Sequence, residues 1–176
     1  MLSLIIMVPL TVLVFGPFSE YVSSGIGIDY MPGFSRILTG VIIASFWPFL
    51  VVLGVHWGLV PIMIDNFAHG GDIFIAITAA SVFAQIGIAF GVVLRSRRNK
   101  DLRSLSIGTT LSGLLAGVTE PILYGLILWY KRLIPIVLVS GAIGGAIIAI
   151  FDVRVTTFVL NNLFTIPVFK PMYGYI

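Results

Sequence analysis

The feature that most constrains this chain is a largely apolar run from Leu105 to Tyr130 that contains a single carboxylate, Glu120, inside the stretch GVTEP at Gly117 to Pro121. A charge at membrane depth costs from about 2.5 to over 10 kcal/mol, so it is kept where it faces a cavity, a partner or a ligand. Membrane depth is the right frame, because 59% of the residues are hydrophobic and only 10% are charged. Such a chain reads as an integral membrane protein. Without cysteine it can build neither a disulfide framework nor a thiolate metal site, and no metal or cofactor is expected. The formal charge of +3 does not mark a nucleic-acid partner, since the basic residues concentrate in RSRRNKDLR at positions 95 to 103, a loop signal. The opening residues MLSLIIMVPLTVLVFG lack the basic start and small-residue cleavage site of a signal peptide.

Taken in order, residues 1–18 are apolar enough for a spanning helix despite Pro9, and residues 19–36 change to an interfacial connector carrying Glu20, Asp29 and Arg36. Ile37 to Val55, Ile73 to Leu94 and Leu133 to Phe151 are each long and apolar enough to span. Val155 to Phe169 is apolar but short for a crossing. The stretch from His56 to Asp72, HWGLVPIMIDNFAHGGD, is too polar and too broken by Pro61, Gly70 and Gly71 for a plain span.

Charge placement sets an expected topology. Arg95 to Arg103 belongs in the cytoplasm by the positive-inside rule, and Lys131 and Arg132 should join it. The run between them then has to fold back on itself at GVTEP, where Gly117 and Pro121 weaken helical continuity. By the same counting Arg36 lies inside, and the segment after His56 enters and leaves on one side. Broken backbone at depth needs protein or a water-filled cavity around it, so the two broken segments are expected to face a shared polar cavity, as in many transporters. The expected fold class is all-α polytopic membrane protein, with about four to five transmembrane helices and two re-entrant segments.

Several stretches, in order and at matching spacing, carry a family resemblance: GVHWGLVPIMIDN at 54 to 66, SVFAQIGIAFGVVL at 81 to 94, LLAGVTEPILYG at 114 to 125, Lys131 and Arg132, and GAIGGAI at 141 to 147. Together they resemble the membrane (EIIC) domain of a bacterial phosphoenolpyruvate-dependent sugar phosphotransferase permease, of the glucose superfamily and the beta-glucoside type. The resemblance covers nearly the whole chain and makes residues 37–176 the sugar-binding part. It implies group translocation in the bacterial inner (cytoplasmic) membrane, in which a beta-glucoside accepts a phosphoryl group from the phosphocysteine of a partner EIIB domain. It also implies that Glu120, of the TEP motif, and His56, of the HW motif, contact the sugar. A carboxylate can hold two hydroxyls and orient or partly deprotonate the attacking one, and an imidazole can donate to a hydroxyl or steady the phosphoryl charge. No phosphate-cradling glycine motif is visible, in keeping with a donor carried by another domain.

Each of these residues also has a plainer reading. Glu120 before Pro121 suits the start of a half-helix, and His56 beside Trp57 suits a helix end at the interface. Thr119, Asp65 and Asn66 are candidates for sugar contact or for local turn hydrogen bonds. Gln85 reads as interhelical glue, and Trp47, Trp57, Tyr124 and Trp129 read as interface anchors that could also stack on a sugar. Gly141 and Gly145 fall on one helix face suited to close packing. A full EIIC domain is about twice this length, so the chain is expected to be a C-terminal half, inactive and poorly stable alone. The missing N-terminal EIIC helices or a second protomer would then cover it. Two other functions fit the residues: a secondary sugar transporter coupling protons through Glu120, and a non-transporting assembly or regulatory membrane protein.

Overall fold

The computed structural model describes residues 33–68 and 71–171, so the expected span at 1–18, nearly all of the connector at 19–36, and His69 lie outside the described residues. Helix α1 runs Gly33–Val52 and ends at Gly54, whose φ of 74° closes it. A 3-10 turn, Val55–Leu59, leads into α2, Val60–Ala68. Then come α3, Ile73–Arg95, and α4, Lys100–Leu111. Two wide turns, Ser112–Ala116 and Leu123–Ile127, flank the short α5, Glu120–Ile122. Helix α6, Leu133–Ile150, is followed by β1, Val153–Val155, and β2, Phe169–Pro171, which pair antiparallel with Val155 opposite Phe169.

Among the described residues three helices are long and apolar enough to cross a membrane: α1, α3 and α6. They match the three unbroken apolar runs, and the protein is an all-α membrane protein with little strand. Its outer surface suits lipid rather than water. Ile136, Val139, Ile143, Ile147 and Ile150 form an exposed stripe along α6, at spacings that keep them on one face.

Close approach of backbones joins α1 to α6. A Cβ on Gly40 would lie 2.8 Å from the Gly145 carbonyl oxygen, and one on Gly141 would lie 2.6 Å from that of Ala44. The GAIGG face is thus where α1 packs, since only small residues let two helices come this near. Helix α3 meets the adjacent face through Ala80, close to Gly144.

These contacts fix the helix directions and correct two expectations. Arg36, at the start of α1, pairs with Asp152 just past the end of α6 at 3.3 Å, so α1 and α6 are antiparallel. Asp72, at the start of α3, exchanges backbone hydrogen bonds of 2.8 and 3.0 Å with Val155, so α3 also opposes α6. Helices α1 and α3 therefore run the same way. Arg36 sits at the end of the bundle opposite Arg95 to Arg103, not beside it. The segment 53–72 consequently cannot enter and leave on one side: it starts at one end and delivers the chain to the other, as the 3-10 turn and α2. The positive-inside count misplaces Arg36 because it weighs sign and not pairing, and here the guanidinium is paired with Asp152, which it shares with Arg154.

The expected fold-back at GVTEP is present. Gly125 packs against Leu105 and Thr109, within 4 Å of where its Cβ would be, so the residues after the break return along α4. Lys131 and Arg132, just before α6, thereby lie at the same end as Arg95. At the tip Gly117 adopts a φ of 73°, and Ser112 Oγ donates to the Val118 carbonyl at 3.2 Å. A second excursion comes from the opposite end. Residues 156–168 leave β1, descend toward the hairpin tip and return through β2, so the ribbon forms the neck of a loop. The run from Val155 to Phe169, too short to cross, is this loop.

Candidate functional site

The hairpin tip, the 3-10 turn and the 156–168 loop enclose a cavity of about 210 Å³. That is below the roughly 300–1,000 Å³ of drug-sized sites and on the scale of a small ligand. Its walls are mainly apolar, from Trp47 and Val51 of α1, Val60 and Met63 of α2, Ile75 and Val82 of α3, and Phe158 to Leu160 of the loop. Its polar groups are His56, Thr78, Thr119, Glu120 and Asn161. An apolar, partly aromatic wall with a few convergent polar groups is the usual composition of a small-molecule site.

The local sequence explains why each polar group is there. Gly117 allows the left-handed turn that stops the first half of the hairpin, and Pro121 starts the second, leaving Thr119 and Glu120 at the join. The Thr119 carbonyl accepts from the amides of Ile122 and Leu123 at 3.0 Å, which fixes the join, while its hydroxyl makes no hydrogen bond among the described residues. Glu120 is half-buried and lines the cavity together with His56. His56 has two aromatic neighbours. The Trp47 ring meets it edge-on with centroids 5.9 Å apart, and Trp57 lies at 5.5 Å. Its Nδ1 is buried without a hydrogen-bond partner.

Of the five residues proposed from sequence, the cavity brings together His56, Thr119 and Glu120. Asn66 is placed differently: its Nδ2 donates to Asp72 Oδ2 at 2.6 Å, and it does not line the cavity. Asp72 is fully buried, caps α3 by accepting from the Ile75 amide at 2.5 Å, and so makes Asn66 part of a structural clasp. Asp65 is carried on α2. Trp47 is buried against the cavity and Trp57 lines it too, whereas Trp129 is exposed and Tyr124 donates its hydroxyl to the Val52 carbonyl at 3.1 Å.

Asn161 was missed by reasoning from sequence. It lies in a stretch whose hydropathy looks featureless, and the pair Asn161–Asn162 within apolar neighbours was the available signal. Its Nδ2 donates to the Ile75 carbonyl at 3.4 Å and to Thr78 Oγ1 at 3.3 Å. Two further buried side chains without partners, Ser81 and Gln85, lie one turn apart on α3. An unmet buried polar group costs about 1–3 kcal/mol, so such groups mark places where water or ligand completes the set. Among the described residues no three His, Cys, Asp or Glu side chains gather so as to hold a metal ion.

Comparison with known proteins places the chain in a family. Residues 1–141 match the family model for the phosphotransferase system, EIIC. The chain is 40% identical over 98% of its length to a mannose-specific EIIBCA component of Corynebacterium glutamicum, and covers 26% of that protein. It is 38% identical over 95% of its length to a beta-glucoside-specific EIIBCA component of Halalkalibacterium halodurans, again covering 26%. An arbutin-, cellobiose-, and salicin-specific EIIBC component of Escherichia coli is 28% identical over 94% of this chain and is 35% covered. The chain spans about a quarter to a third of the length of these relatives. No solved structure matches.

Proposed function

Because the chain belongs to the phosphotransferase system EIIC family, we propose that it forms the sugar-binding part of a permease that takes up a beta-glucoside and presents it for phosphorylation by an EIIB partner. The observation that carries this reading is the convergence of Glu120, Thr119 and His56, from two broken segments far apart in sequence, on one cavity beside two tryptophans. A sugar offers hydroxyl edges and apolar ring faces. Carboxylate, hydroxyl and imidazole suit the first, and indole rings suit the second.

In this reading Glu120 accepts hydrogen bonds from sugar hydroxyls and orients the one that attacks. Its oxygen bonds to phosphorus, the sulfur–phosphorus bond of the donor phosphocysteine breaks, the proton passes to the Glu120 carboxylate, and the thiolate leaves. His56 donates to the sugar or to the phosphoryl oxygens. Such a transfer depends mainly on positioning and on stabilising spread negative charge, which these groups supply without further chemistry. The chain has no cysteine, so the donor belongs to another domain. The relatives' names, EIIBCA and EIIBC, support an EIIB partner. The rest of the permease, or a second protomer, supplies the remaining walls.

Binding of salicin to the purified chain, measured by calorimetry beside Glu120→Gln, tests the reading. The variant should bind at least about tenfold more weakly, because a charge-assisted acceptor is replaced by a neutral amide. Equal binding by both proteins would remove Glu120 from the site. A second substrate reading, glucose or mannose, is favoured by the names of the two Corynebacterium glutamicum relatives. Competition of salicin by free glucose or mannose at lower concentration than by arbutin would select it.

A further inference from the structure

The two ends of the bundle treat their charges differently. At one end Asp152 lies 3.3 Å from Arg36 and 3.2 Å from Arg154, so the carboxylate and the guanidinium groups answer one another within the chain. At the other end Arg95, Arg97, Arg98, Lys100 and Arg103 surround the turn between α3 and α4, and Lys131 and Arg132 directly precede α6. The two groups are neighbours. Gly125 packs against Leu105 and Thr109, so the return limb of the hairpin reaches Lys131 near the level at which α4 begins. All seven cations are exposed, and among the described residues none of them is in an ion pair. The one acid beside them, Asp101, is in the first turn of α4, where it answers that helix's own dipole.

The backbone adds to the imbalance. Helix α6 starts directly after Lys131 and Arg132 and has no acid in its first turn, so the positive end of its dipole coincides with two positive side chains. The α3–α4 turn holds its cations on a fixed frame: Asn99 Oδ1 accepts from the Leu102 amide at 3.0 Å, and the Asn99 amide donates to the Ser96 carbonyl at 3.0 Å. Positive charge gathered and held in this way calls for an anion from outside the chain. The surroundings indicate its kind. Phe90 and Leu94 on the last turns of α3, Leu105 on α4 and Leu128 on the return limb are exposed close to the cations, and Trp129, 79% exposed, stands with Tyr130 next to Lys131. A small anion or an acidic protein surface would use the charges alone. A phospholipid uses both, with its headgroup at the basic side chains and its acyl chains along the apolar ones, and indole and phenol rings belong at that boundary. We propose that this end of the bundle is a binding site for an anionic phospholipid, seated between the α3–α4 turn and the exit of the hairpin at Lys131 and Arg132. The inference is independent of the sugar-binding reading.

The test is competition between phosphatidylglycerol and phosphatidylcholine of matched acyl chains, added in equal amounts to the purified chain in neutral detergent, with the retained lipid measured by native mass spectrometry. Native protein should retain phosphatidylglycerol about tenfold over phosphatidylcholine. Arg97→Gln/Arg98→Gln and Lys131→Gln/Arg132→Gln should each lower that ratio several-fold, whereas Lys170→Gln, which removes an exposed cation at the opposite end, should leave it unchanged. All four altered cations are exposed and outside any ion pair among the described residues, so an unchanged thermal transition is expected to show that the variants stay folded. Equal retention of the two lipids by native protein, or a ratio that neither double variant lowers, would overturn the inference and leave the patch to an acidic protein surface. Displacement of the lipid by inorganic phosphate at the same concentration would also overturn it, since the site would then bind a simple anion only.

Discussion

Two excursions reach the cavity from opposite ends of the bundle, the hairpin of residues 100–130 and the loop of residues 156–168, and they hold their shape by different means. The hairpin is helical on both limbs, and its tip is set by backbone: Gly117 in a left-handed turn, and Thr119 accepting two amides. The loop has hardly any regular structure beyond its two-stranded neck and one 3-10 turn, Leu163–Val168. Side chains hold it instead. Asn162 accepts from the amides of Phe164 and Thr165, Thr165 Oγ1 accepts from the Asn162 amide in return, and Asn161 reaches α3. In a membrane protein an irregular segment has to satisfy its backbone from within, and asparagine does this well because it both donates and accepts. The hairpin thus presents a chemical group on a rigid frame. The loop is a cover whose fit depends on a few replaceable hydrogen bonds.

That contrast can be broken first where the two regions touch. Gly117→Val should have the largest effect, because a branched residue in a left-handed turn costs roughly 1–3 kcal/mol in backbone strain and its Cβ also meets the Asn161 carbonyl. The expected outcome is a clearly lowered thermal transition in detergent with loss of sugar binding. Gly108→Ala in α4, where an added Cβ meets nothing within 4 Å, should leave the transition unchanged or slightly raised. Equal behaviour of the two variants would mean that the tip is not the strained junction described.

A smaller change sharpens the comparison by loosening the loop alone. Asn162→Ala removes the reciprocal cap of the 3-10 turn and should cost about 1 kcal/mol. Hydrogen exchange should quicken at residues 163–168 while the amides of Ile122 and Leu123, bonded to Thr119, keep their protection. Quickening at both places would show that loop and hairpin unfold as one unit.

The two regions also differ in how far the sequence disclosed them. The hairpin was legible because a lone carboxylate next to glycine and proline is conspicuous in an apolar run, and its cost demands an explanation. The three long helices were legible for the complementary reason, that they have no interruption at spanning length. The loop was not, since Phe158, Val159 and Leu160 are apolar whether they face lipid, protein or a cavity. Pairing escaped the reading as well. Arg36 takes a side from its charge alone, because its partner Asp152 lies more than a hundred residues away, and Asn66 reads as a candidate sugar contact because nothing in the sequence announces its hydrogen bond to Asp72.

The central claim is that the hairpin enters and leaves at one end of the bundle and meets at its tip a loop from the other end. Native cysteine is absent, so single cysteines placed at the exposed positions Ser104, Tyr130 and Thr156 report sidedness directly. In membrane vesicles of known orientation, a membrane-impermeant thiol reagent should label Ser104→Cys and Tyr130→Cys from the same face, and Thr156→Cys from the opposite face. Labelling of the cysteines at 104 and 130 from opposite faces would mean that the segment crosses the membrane, and would contradict the account.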